Sequence, residues 1–103
     1  MKLNDYQARA LEYRMASADD VYVNYNLAGE VGEYLSLLAK ARRDGRKPDH
    51  DVQAKKELGD ILWQVAAAAA DHGYTLEDLA QSNLNKLRLR SIANTIQGSG
   101  NDR

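Results

Sequence analysis

The sequence predicts an all-α fold, a bundle of four to five helices, on three observations. Its 103 residues include one proline, no phenylalanine and few β-branched runs, which disfavours strands. Apolar residues recur at helical spacing through four long segments. Glycines and one proline-containing connector stand where those segments would end.

Asn4 is the expected cap of a first helix running to about Ser17, with Tyr6, Ala10, Leu11 and Arg14 at helical spacing. A second helix is expected from near Val21 to Asp44, stopped by Gly45. The segment GRKPDHD then connects, with Pro48 as the breaker. A third helix should run from near Asp51 to His72, with Gly73 as its stop. Its alanine run, Ala66–Ala70, offers helix propensity and also lets a neighbouring helix approach closely. Thr75 and Asp78 form a capping-box pattern that opens a fourth helix through about Arg90. The remaining 91–103, with two glycines and little apolar pattern, is expected to be a flexible tail.

This length fits one domain over 1–103, with a core that has little to spare. A formal net charge of −1 argues against a broad duplex-binding face, although basic residues cluster at Lys40–Lys47 and Lys86–Arg90. That leaves room for a small anionic ligand. There is no cysteine, hence neither disulfides nor thiolate metal ligands. The N-terminus lacks an apolar signal core and no stretch approaches a membrane span, so a cytoplasmic protein is expected.

The chemistry concentrates in two acid pairs. Glu30 and Glu33 are three apart on helix two, and Glu57 and Asp60 repeat the spacing on helix three. At 100° per residue each pair flanks an apolar arc. On helix two the arc is Leu27, Val31, Tyr34, Leu35 and Leu38; on helix three it is Leu58, Ile61, Leu62 and Val65. A short connector makes these helices antiparallel neighbours, and the pairs reach matching heights if the connector climbs before helix three begins. Four carboxylates so placed repel one another unless a hard cation lies between them. The competing interpretation is a solvated acidic face, since either pair alone is common on helix surfaces.

A di-iron carboxylate bundle would need Glu-x-x-His on two helices. His50 lies in the connector and His72 at a helix end, so both are expected at the surface or in caps. All-oxygen ligands suit Mg²⁺ or Mn²⁺ and, with them, polyphosphates. Lys40 continues the stripe of Glu30 and Glu33. On helix four, Asn83, Lys86 and Arg90 share a face and form a phosphate-clamp pattern, or else a solvated basic face. Trp63, Tyr6 and Gln7 are assigned to helix packing.

The order E-x-x-E, connector, E-x-x-D, then N-x-x-K-L-x-x-R resembles the MazG-like all-α nucleoside triphosphate pyrophosphohydrolases. The likeness covers most of the chain, including Tyr6-Gln7, NLAGEVGE, Lys40, KELGDILW, HGYTLEDLAQSN and KLRLR. The tail GSGNDR is similar to a G-S-G-D-x-R ending of a phage and bacterial subgroup, with Asn101 and Asp102 in swapped order. This resemblance implies hydrolysis of a nucleoside triphosphate between its α and β phosphates, releasing a monophosphate and pyrophosphate for nucleotide-pool control or house-cleaning. It implies Mg²⁺, with Mn²⁺ able to substitute, on Glu30, Glu33, Glu57 and Asp60. Lys40, Lys86 and Arg90 would hold phosphate oxygens and Asn83 the phosphate or sugar, while Glu33 would take a proton from the attacking water. It further implies a homodimer or homotetramer with a partly shared site.

Two positions depart from the family pattern. Gln64 follows the tryptophan where relatives often have tyrosine, and Ser91-Ile92 replaces the frequent Tyr-Pro after Arg90. The alternative to an enzyme is a non-catalytic helical interaction protein. Gly29, Gly32 and Gly59 each precede a proposed ligand, and the expectation is that they make room for a neighbouring helix or the bound triphosphate.

Overall fold

The computed structural model describes residues 1–97, with side chains through Asn94. Four helices follow one another: α1 (Leu3–Leu11), α2 (Asp20–Asp44), α3 (His50–Asp71) and α4 (Leu76–Gln97). The described residues contain no strand. The all-α expectation therefore holds, and the two central helices end where their punctuation predicts. Asp19 caps α2 by accepting a hydrogen bond from the Tyr22 amide at 2.9 Å. Gly45 and Gly73 adopt φ of 89° and 80°, backbone conformations that glycine tolerates and other residues resist.

Three boundaries differ from expectation. Helix α1 stops at Leu11 because the following turn is held from outside. The Arg14 Nε donates to the Ala18 carbonyl, and its guanidinium forms a two-point pair with Asp71 at 2.8 and 3.0 Å. Asn4 does not cap α1: its Oδ1 accepts from the Glu77 amide, in the first turn of α4. Helix α4 continues past Arg90 to Gln97, since no proline or glycine interrupts it before Gly98, so residues 91–97 are helix and not tail. The GSGNDR segment lies outside the described residues.

The core gathers around the second half of α3, which touches all three other helices. Ala66, Ala67 and Ala69 are buried there with Val23 of α2 and Leu76 of α4, so the alanine run does serve close approach. Gln7 ties the layers together. Its Nε2 donates to the Ala66 and Tyr74 carbonyls and its Oε1 accepts from the Leu76 amide, capping α4 from 69 residues away. Trp63 joins α3 to α1, its indole N–H donating to the Ala10 carbonyl at 3.0 Å.

Helix α2 packs on α3 alone, and α2 and α4 make no contact among the described residues. The radius of gyration is 17.1 Å, against about 13 Å for a compact chain of this length. The apolar arcs of the α2–α3 hairpin are correspondingly open, with Leu35 56 % and Leu58 48 % exposed. One chain leaves these faces uncovered.

Candidate metal centre

The α2–α3 hairpin brings three of the four predicted acids together. One carboxylate oxygen from each of Glu30, Glu33 and Glu57 lies within 4.8 Å of the others. Glu30 and Glu57 are partly buried, whereas Glu33 faces solvent. Asp60 stands outside this triad, but its charge acts on both Glu30 and Glu57. The i, i+3 pair on α2 and the antiparallel register of α3 produce the convergence without any loop contribution.

Electrostatics make the arrangement costly when it is empty. Burial, followed by the charges of Asp60, Glu33 and Glu57, holds the Glu30 carboxyl above the usual carboxylate range. Burial first, and then Glu33 by charge and hydrogen bonding, does the same to Glu57, with Lys56 opposing. Glu30 Oε2 and Glu57 Oε2 are buried with no hydrogen-bond partner. Buried carboxylate oxygens normally find donors. Two orphaned acceptors beside a third carboxylate form a donor set that fits a hard divalent cation, since all the ligating atoms are oxygen.

The surroundings refine the sequence reading. Gln64 lies on the same face of α3, only 8 % exposed, and its Oε1 is buried without a partner. Tyr6 of α1 comes near enough to Asp60 for that charge, after burial, to raise its hydroxyl's pKa. Helical spacing alone places Gln64 on the stripe of Glu57 and Asp60, whereas the approach of Tyr6 has no local signature because it depends on how α1 packs on α3. Lys40 lies beyond the acids, in a recess at the hairpin tip. Asn83 and Lys86 line a shallow recess with Tyr74 and Asp78, and Arg90 is half-buried further along α4. Within one chain α4 does not reach α2, so these three residues are not joined to the triad.

Two expectations are corrected here. His50 is not a surface residue: it is 8 % exposed in the first turn of α3. Nor, within one chain, do the glycines relieve crowding by a neighbouring helix. A Cβ built on Gly29, Gly32 or Gly59 meets nothing within 4 Å, because those faces of the hairpin are open.

Residues 22–93, which contain the acid triad and most of α4, match the MazG nucleotide pyrophosphohydrolase domain. The chain belongs to the MazG family. It is also 40 % identical over 87 residues to the Gene 37 protein of Mycobacterium phage L5, covering 80 % of this chain and 75 % of that protein. No solved structure matches it significantly. MazG domains are nucleotide pyrophosphohydrolases by description, and the acidic cluster accords with the metal dependence general in the family. Among the described residues no helix is long and apolar enough to cross a membrane.

Proposed function

We propose that this chain is a single-domain, cytoplasmic, Mg²⁺-dependent pyrophosphohydrolase that converts a nucleoside triphosphate to its monophosphate and pyrophosphate. The observation that carries this reading is the convergence of Glu30, Glu33 and Glu57, with two of their oxygens buried and unpartnered. Those three residues, joined by Asp60, would hold Mg²⁺ or, in substitution, Mn²⁺. The bound ion supplies charge neutralisation on the phosphates and lowers the pKa of the attacking water. Glu33, the most exposed of the triad, accepts that water's proton as its oxygen attacks the α-phosphorus. The bond from the α-phosphorus to the bridging oxygen breaks, and pyrophosphate leaves with that oxygen. Lys40, on the α2 stripe beyond the acids, neutralises charge on the departing group.

The open apolar faces support a second copy as part of the site. Val31, Leu35, Leu38, Leu58 and Leu62 on the hairpin, and Leu84, Leu87 and Ile92 on α4, are all at least 37 % exposed. Exposed leucines in such numbers favour burial against another chain. A homodimer or homotetramer would cover them, with Asn83, Lys86 and Arg90 of α4 serving the acids of a neighbouring subunit. This division explains why α2 and α4 do not meet within one chain.

Phosphorus NMR of a panel of triphosphates incubated with protein and Mg²⁺ tests the reaction. Monophosphate and pyrophosphate should appear with the wild type and not with the Glu30→Ala/Asp60→Ala variant. Diphosphate and orthophosphate, or equal turnover in the variant, would refute the assignment. Mixing inactive Glu30→Gln with inactive Lys86→Ala/Arg90→Ala tests the shared site. Redistribution of subunits between dimers should restore activity to about a quarter of wild type.

A further inference from the structure

We infer that the Gln64 carboxamide reads the nucleoside of the triphosphate, accepting a hydrogen bond from a donor on its sugar or its base. This role rests on the reaction proposed above and adds to it the residue that tells a nucleotide from bare polyphosphate.

Gln64 continues the acid stripe of α3. It follows Glu57 by seven residues and Asp60 by four, close to two turns and one, so the three share a face. The helical rise puts it about 6 Å beyond Asp60 along the axis. The residue is 8 % exposed, and its Oε1 is buried without a hydrogen-bond partner. Among the described residues four buried side-chain atoms lack a partner, and three of them belong to Glu30, Glu57 and Gln64 on this stretch of the hairpin. A cation answers the two carboxylate oxygens. The neutral amide oxygen one turn further on calls for a hydrogen-bond donor, which ionised Glu57 and Asp60 do not offer.

Helix α2 presents a second amide at the same height. The antiparallel register that sets Glu33 against Glu57 and Glu30 against Asp60 sets Asn26 against Gln64. Asn26 is half-buried and makes no hydrogen bond among the described residues. The site therefore has a direction. Lys40 lies seven residues past Glu33 toward the hairpin tip, on the side assigned to the departing pyrophosphate. Asn26 and Gln64 lie the opposite way. A triphosphate held at its α-phosphorus by the triad, with its outer phosphates toward Lys40, sends its sugar and base toward the amides. Phosphate oxygens only accept and leave Gln64 Oε1 unsatisfied, whereas sugar hydroxyls and base N–H groups donate.

Isothermal titration calorimetry of the full chain in Mg²⁺ tests this role. The ligands are inorganic triphosphate and α,β-methylene nucleoside triphosphates, which resist cleavage between α and β, with each common base on ribose and on 2′,3′-dideoxyribose. Gln64→Met keeps the side chain's length and removes the amide. It should weaken at least one nucleoside analogue about three- to tenfold, the worth of one hydrogen bond, and leave inorganic triphosphate unchanged. A loss that vanishes with the dideoxy analogues places the donor on the sugar; a loss that persists there and follows the base places it on the base. In EDTA without ligand, Gln64→Met should melt no lower than wild type, because the removed oxygen leaves no partner behind. The inference is overturned if the variant melts lower, if inorganic triphosphate is weakened equally, or if every nucleoside analogue binds as before. If wild type binds neither inorganic triphosphate nor any analogue, the proposed reaction itself falls, and this role with it.

Discussion

Replacing Glu30 with glutamine should make the metal-free protein more stable while removing its response to Mg²⁺. Glu30 carries one of the orphaned buried oxygens and lies within 4.8 Å of the Glu33 and Glu57 oxygens. Two unit charges at that separation repel by about 1 kcal/mol in bulk water and about 3–4 kcal/mol at an effective dielectric constant of 20. Glu33 faces solvent, so screening favours the low end, and about 1 kcal/mol of relief is expected at Glu30. In a domain of this size that raises the melting temperature by about 4–8 °C. Thermal melts in EDTA and in millimolar Mg²⁺ read both effects. Wild type should melt higher with Mg²⁺ than without, and Glu30→Gln should melt alike in both and above wild type in EDTA. A variant less stable than wild type in EDTA, with its Mg²⁺ response intact, would refute the reasoning. The carboxylate would then be structural and not a ligand.

Acidification should act oppositely on the metal-free and metal-loaded protein. Glu30 and Glu57 titrate above the ordinary value of about 4.3, so the folded state holds more protons than the unfolded chain above that pH. Their contribution to metal-free stability therefore falls as pH rises from about 4.3 through their folded values, while the gain from Mg²⁺ grows; melts between pH 5 and 7.5 check both slopes. Gln7→Leu should cost about 2–4 kcal/mol, since it removes bonds to the Ala66 and Tyr74 carbonyls and orphans the buried Leu76 amide; urea denaturation measures it. Gly29→Ala or Gly59→Ala should stabilise the metal-free chain by about 0.4–1 kcal/mol, because the added methyl meets nothing within 4 Å. Gly29→Leu and Gly59→Leu should reduce turnover more than folding, if the open space serves substrate.

Much of this design is written locally in the sequence. The ends of α2 and α3 follow from Asp19, Gly45 and Gly73, whose effects reach only a few residues. The Thr75–Asp78 capping box forms as the pattern predicts, each side chain accepting from the other residue's amide. The meeting of Glu30, Glu33 and Glu57 was legible because helical periodicity and a short connector fix both face and height. What the sequence concealed was long-range. Asn4 serves a helix 73 residues away, and Arg14 ends α1 by reaching Asp71. His50 reads as a connector residue until the hairpin closes over it. Periodicity placed Asn83, Lys86 and Arg90 on one face of α4, but it could not say that α4 stays away from α2 within one chain.

The central claim is that the glutamate triad holds a divalent cation, and Mn²⁺ electron paramagnetic resonance tests it most directly. Free Mn²⁺ gives a sharp six-line signal that fades on binding. Titrating wild-type protein into Mn²⁺ should reduce that signal saturably, excess Mg²⁺ should restore it, and Glu30→Gln/Glu57→Gln should leave it untouched. If the double variant bound Mn²⁺ as tightly as wild type, or if wild type bound none, the acids of the hairpin would not be a metal centre.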